Sequence, residues 1–76
     1  MNDMIKTAKD LGTLIRQRRK EMGLSQADLA GICNVGNRFL VELEAGKPTV
    51  QFDKALHVAA NVGLELHVHK KGDEIS

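Results

Sequence analysis

Between Cys33 and Pro48 the chain reads CNVGNRFLVELEAGKP, and this stretch carries Asn37, Arg38, Glu42, Glu44 and Lys47. No nucleophile, base and orienting acid stand together among them, so covalent chemistry is not what they offer. Their chemistry is hydrogen-bond matching. A carboxamide pairs with an adjacent donor and acceptor, a guanidinium with two acceptors, a carboxylate with a donor.

Other reactive groups are scattered. His67 and His69 are spaced to lie on one strand face beside Glu65, and doubled by a two-fold axis they would make a zinc site, but two ligands per chain is a thin set. A polar strand face is the simpler reading, and neither metal nor cofactor is expected. Cys33 falls at an apolar helical position and reads as a small buried hydrophobe. His57 sits with Asp53, Lys54 and Asn61 on the polar side of a helical segment, where solvation is the default. No phosphate-cradling glycine loop exists, and a chain of 76 residues has little room for a closed pocket. An enzyme is not expected.

Composition sets further bounds. One domain of this size buries about 60% of its unfolded surface. Two Phe, no Tyr and no Trp leave few stacking platforms for single-stranded nucleic acid. A single Cys and a start without an apolar block suit a reducing cytoplasm, and no run approaches the roughly 20 apolar residues of a membrane helix. Net charge is +1, yet residues 1–24 hold six Lys or Arg against Asp3, Asp10 and Glu21. The run RQRRK is either a solvated helix face or a phosphate-facing patch.

The elements that position these groups follow from punctuation. Thr7 and Asp10 make a capping box, and Ala8, Leu11, Ile15 and Met22 recur at helical spacing up to Gly23. Ser25 and Asp28 make a second box ahead of Ala27, Leu29, Ala30 and Cys33. Asn34 tolerates a left-handed conformation and Gly36 relaxes the turn further, so Asn37–Ala45 reads as a third helix ended by Gly46 and Pro48. Thr49 caps a fourth, with Phe52, Ala55, Leu56, Ala59 and Ala60 as its stripe.

After Gly63 the period changes to two. Leu64, Leu66 and Val68 alternate with Glu65, His67 and His69, which is a strand with one buried side. The chain offers it no convincing partner strand, so pairing with the same strand of a second copy predicts a homodimer. The expected organisation is a helical unit over 1–63, a dimerisation strand over 64–70 and a flexible tail over 71–76.

Two short helices joined by a three-residue turn, the second opening on polar groups, match the geometry of a helix laid in the DNA major groove. Leu40 and Leu43 anchor that helix, while Asn37, Arg38, Val41, Glu42 and Ala45 turn outward with Phe39 at the border. Arg38 suits guanine, Asn37 adenine or a phosphate, and Glu42 cytosine; Gln26 opens the preceding helix, where amides meet phosphate. A protein-interaction adaptor on the same fold is the alternative, and salt-dependent affinity separates the two.

The segment GLSQADLAGICNVGNRFLVELEAGKP resembles the Cro and phage-repressor-like helix-turn-helix family, and through the tail it looks most like the HipB-type antitoxins. The resemblance implies a mainly α, four-helix repressor-like domain with a C-terminal β-strand pairing across a homodimer. It implies Gln26 as a phosphate contact, Asn37, Arg38 and Glu42 in the groove, Lys47 near the DNA backbone, and a structural salt bridge between Arg19 and Glu44. It also implies repression of the protein's own operon from double-stranded operator DNA, together with a HipA-like serine/threonine kinase toxin as partner. A stand-alone repressor is the variant of this reading without the toxin. Asn34 stands where the family usually has Gly, and Phe39 where a small hydroxyl residue is usual. Phe39 either packs beside the second helix or meets a thymine methyl or sugar edge; the tendency of large aromatics toward burial favours packing.

Overall fold

The computed structural model describes residues 4–68 and residue 70. Four helices follow one another: α1 Ala8–Glu21, α2 Gln26–Cys33, α3 Asn37–Glu44 and α4 Phe52–Asn61.

Local chemistry starts the first two. Thr7 Oγ1 accepts from the Asp10 amide and Asp10 Oδ2 from the Thr7 amide, each at 3.1 Å. Ser25 and Asp28 make the same exchange at 3.0 Å in both directions. Hydrogen bonds from the backbone amides of Lys6 and Thr7 hold the Asp10 carboxyl below the usual carboxylate range, and those of Ser25 do so for Asp28. A carboxyl with a depressed folded pKa stabilises the fold above the unfolded value of about 4 and loses that contribution as pH falls through the lower folded value. Melting temperature should therefore drop below about pH 4. Ser25→Ala should remove about 1 kcal/mol at neutral pH and leave most of that acid limb, which the backbone amides set, in place, as thermal melts across pH 7 to 2 would show.

The fourth helix starts later than its sequence signal. Its N-cap is Gln51, with no side-chain cap bond, and Thr49 lies in the preceding turn. Val50 packs against the core first, and the helix begins after it.

Leu11 and Ile15 of α1, Leu29, Ala30 and Cys33 of α2, Leu40 and Leu43 of α3, and Ala55, Val58, Ala59 and Val62 in and after α4 form the core. The buried stripe of α4 thus begins a turn beyond the expected one: Phe52 is 69% exposed and Ala60 is exposed, while Val58 and Val62 are fully buried. Met22 and Ala27, also expected inside, face solvent.

Helix α1 lies directly on the C-terminal end of α3. A methyl group at Gly12 would collide with the Leu43 carbonyl oxygen and sit 3.0 Å from that of Glu44. Gly46, at φ +85°, leaves room for Lys9 in the same way, since a Cβ there would be 2.7 Å from the Lys9 Cα.

Helices α1, α2 and α4 close with the same backbone bond, donated by an apolar residue that folds back on the core. Leu24 donates to the Arg19 carbonyl at 3.1 Å, Val35 to Ala30 at 3.0 Å and Leu64 to Ala59 at 3.0 Å. Beyond Leu64, residues 65–68 carry no ladder in the single chain; Leu66 is 41% exposed and Val68 98%. The ribbon expected of Leu64, Leu66 and Val68 requires a second copy. His69 and the expected tail over 71–76 lie outside the described residues.

Candidate nucleic-acid interface

The unit that presents the polar groups is α2, the turn at residues 34–36, and α3. Asn34 takes φ +57° and ψ +45°, the left-handed well that among non-glycine residues Asn tolerates best. Gly36 adopts φ −67°, which any residue accepts, so the turn depends on Asn34 and the inward-packed Val35 rather than on glycine at 36. Leu40 and Leu43 are buried and fix the roll of α3.

That roll leaves Asn37, Arg38, Val41 and Ala45 exposed and Glu42 half-buried. Phe39 turns sideways: it packs against the core, with the Lys54 ammonium of α4 5.8 Å from its ring centroid. The ring is half-buried, and the neighbour it meets is on α4.

Behind α3 stands a buried ion pair. Arg19 Nε donates to Glu44 Oε2 at 2.7 Å and Nη2 to Oε1 at 2.9 Å, while Nη1 donates to the Leu24 carbonyl at 2.8 Å. Both residues are only 7% exposed. Hydrogen bonding to Glu44 raises the Arg19 pKa further above its already high value, keeping the guanidinium charged. Gln26 Nε2 also donates to Glu44 Oε1, at 3.1 Å, so one carboxylate ties α1, α2 and α3 together. The Gln26 side chain, expected at a phosphate, uses one of its two Nε2 hydrogens here; the other hydrogen and the backbone amides of the α2 start are not part of this bond.

The run RQRRK divides between scaffold and surface. Arg19 belongs to the buried pair. Arg18 Nε donates to the Val62 carbonyl at 3.0 Å and Nη1 to Glu21 Oε1 at 2.6 Å, fastening α1 to the end of α4. Arg16 and Lys20 line a shallow depression on α1 with Thr13, Gln17 and Glu21. Sequence reasoning missed the role of Arg18, whose carbonyl partner has no side-chain signature.

Glu42 sits between two cations. Its Oε2 lies 3.5 Å from Arg38 Nε, one helical turn back, and accepts from Lys47 Nζ at 3.2 Å. Lys47 first, then Arg38, holds the carboxyl below its ordinary range.

The remaining candidates are elsewhere. The Cys33 thiol is 2% exposed and pushed up in pKa by burial. His57, expected to be solvated only, has Nε2 3.0 Å from the Cys33 carbonyl oxygen, a link from α4 to the end of α2. His67 Nε2 is 3.4 Å from Glu65 Oε1, and no group of three or more possible ligands occurs among the described residues.

Residues 15–67 match a family model described as helix-turn-helix. The chain belongs to the helix-turn-helix family. A helix-turn-helix relative in Sinorhizobium fredii, described as an uncharacterized HTH-type transcriptional regulator y4mF, is 47% identical over 73 residues, covering 96% of each chain. The fold is that of HipB. A HipB variant in an O2 20mer complex superposes with a TM-score of 0.81 at 14% identity, over 93% of this chain and 99% of that one. A HipB–O4 20mer complex superposes at 0.80 and 13%, over 92% and 99%. No helix among the described residues is long and apolar enough to cross a membrane.

Proposed function

We propose that the chain is a DNA-binding transcriptional repressor, cytoplasmic and homodimeric, acting on a near-palindromic operator as the antitoxin of a HipA-like serine/threonine kinase toxin. The observation that carries the DNA reading is the presentation of α3. The helix is held from behind by Leu40, Leu43 and the Glu44 bridge, while Asn37, Arg38 and Val41 are exposed on its other side. Arg38, with its side chain 91% exposed, reads guanine, and Asn37 reads adenine or holds a phosphate. Gln26 and Lys47 meet the DNA backbone, and Val41 supplies apolar contact in the groove, while Phe39 packs behind it. The relative's name and the 20mer complexes of HipB support this reading.

Dimerisation through residues 64–70 is supported by the exposed Leu66 and Val68 beside the anchored Leu64. Two copies then present α3 to successive major grooves, with half-sites about 34 Å, or a multiple, apart. The toxin partnership rests on the resemblance of the sequence to the HipB-type antitoxins.

Binding-site selection on random duplexes tests the DNA reading. Arg38→Ala should weaken the selected site by about 1 to 3 kcal/mol, roughly 5- to 150-fold, and relax preference at one base pair of each half-site. Lys47→Ala should weaken selected and scrambled duplexes alike and reduce the salt slope by about 1 per protomer. Absence of any salt-dependent binding would leave the adaptor reading. Co-purification of a kinase encoded beside this chain separates the antitoxin from a stand-alone repressor.

A further inference from the structure

A carboxylate at position 42 suits cytosine as a direct acceptor, yet it already has two cationic partners on the same surface. We propose instead that Glu42 is a positioning residue: it holds Arg38 and Lys47 in one arrangement and so makes the surface discriminate operator from other DNA. The assignment rests on the DNA-binding reading of α3.

The geometry is specific. Arg38 and Glu42 stand four residues apart on α3, and Arg38 approaches through Nε at 3.5 Å. An arginine engaged at Nε keeps its two Nη groups as a fork for paired acceptors such as guanine O6 and N7. Lys47 reaches the same Oε2 at 3.2 Å from the turn that follows α3, and the Glu42 side chain is 30% exposed where that of Arg38 is 91%. A half-sheltered anion thus lies between two groups that would otherwise sample any nearby phosphate. The carboxylate stays ionised beside them.

Two consequences follow for DNA binding. The anion cancels one of two positive charges per protomer, which weakens the sequence-independent attraction common to all duplexes. It also restricts the Arg38 fork to the arrangement that rewards a guanine, so discrimination comes from suppressing wrong sites as much as from favouring the right one.

The probes are the palindromic duplex recovered by selection with the wild-type protein and a scrambled duplex of equal length and composition. Both are titrated from about 50 to 200 mM salt with wild type and Glu42→Gln. The variant should bind the scrambled duplex about 3- to 10-fold more tightly, with a salt slope steeper by about 1 per protomer and a smaller ratio of selected to scrambled affinity. Circular dichroism should show an unchanged fold. An unchanged ratio and slope would overturn the assignment, and so would weaker binding to the selected duplex alone with altered preference at one base pair, which is the signature of a direct base contact. A wild-type protein that distinguishes no duplex would overturn the DNA-binding reading beneath it, whereas loss of the effect in a discriminating wild type removes only the role of Glu42.

Discussion

Glu44→Ala should lower stability by about 3 to 5 kcal/mol, the usual cost of removing one member of a buried ion pair. Three donors lose their acceptor together: Arg19 Nε, Arg19 Nη2 and Gln26 Nε2. Gln26 is half-buried and can turn to water, but Arg19 is 7% exposed and keeps only the Leu24 carbonyl. A domain of 76 residues has roughly 4 to 11 kcal/mol in total, so the variant is expected to sit near the edge of folding at 37 °C. The pair itself need not add to net stability, because desolvation offsets much of its attraction. Arg19→Met combined with Glu44→Leu should therefore recover most of the loss, while each single change does not. Urea titrations of the two singles and the double form a double-mutant cycle. A loss below about 1 kcal/mol in Glu44→Ala would show that apolar packing alone holds α3 in place.

What the sequence displays well are interactions that close within a few residues. Thr7 with Asp10 and Ser25 with Asp28 are complete devices on adjacent turns, and Asn34 carries its left-handed tolerance in its own side chain. The helices they delimit were accordingly legible, as was the anchoring of α3 by Leu40 and Leu43. Where α4 begins depends instead on Val50 finding the core, so Thr49 misled and the buried stripe came out one turn early. Within the candidate site the same division holds. Arg18, Arg19 and Arg16 are alike as letters; Arg18 finds a carbonyl 44 residues away and Arg19 a carboxylate 25 away, which the local pattern of RQRRK does not encode. The resemblance to repressor-like proteins singled out Arg19 and was silent on Arg18. Glu42 is the opposite case. Its spacing to Arg38 is visible at four residues, but Lys47 returns to it across the turn after α3, and helical spacing alone showed an outward carboxylate with nothing holding it. The glycine at position 12 gave no signal at all, because in a helix interior its letter reads only as a weak point.

Gly12→Ala should lower stability by about 3 kcal/mol although helix propensity argues for a gain. An alanine in a helix interior is favoured over glycine by about 1 kcal/mol, and Gly12 lies in the second turn of α1. Against this, the new methyl meets the Leu43 carbonyl, with the Glu44 carbonyl 3.0 Å away, and neither backbone group can rotate aside. Helix α1 must lift, which loosens Leu11 and Ile15 from Leu40 and Leu43; overpacking of this kind costs about 1 to 3 kcal/mol and more when backbone is struck. Gly31→Ala is the control. Gly31 lies inside α2 with nothing within 4 Å of its added methyl, so the same substitution should there raise stability by about 0.4 to 1 kcal/mol. Opposite signs in thermal or urea unfolding would attribute the Gly12 loss to the approach of α1 to α3, and equal signs would refute it. The same approach sets the reach of Arg19 to Glu44, so Gly12→Ala and Glu44→Ala act on one contact. Together they should cost less than the sum of their separate losses, because a helix already lifted from α3 has less of the bridge left to lose.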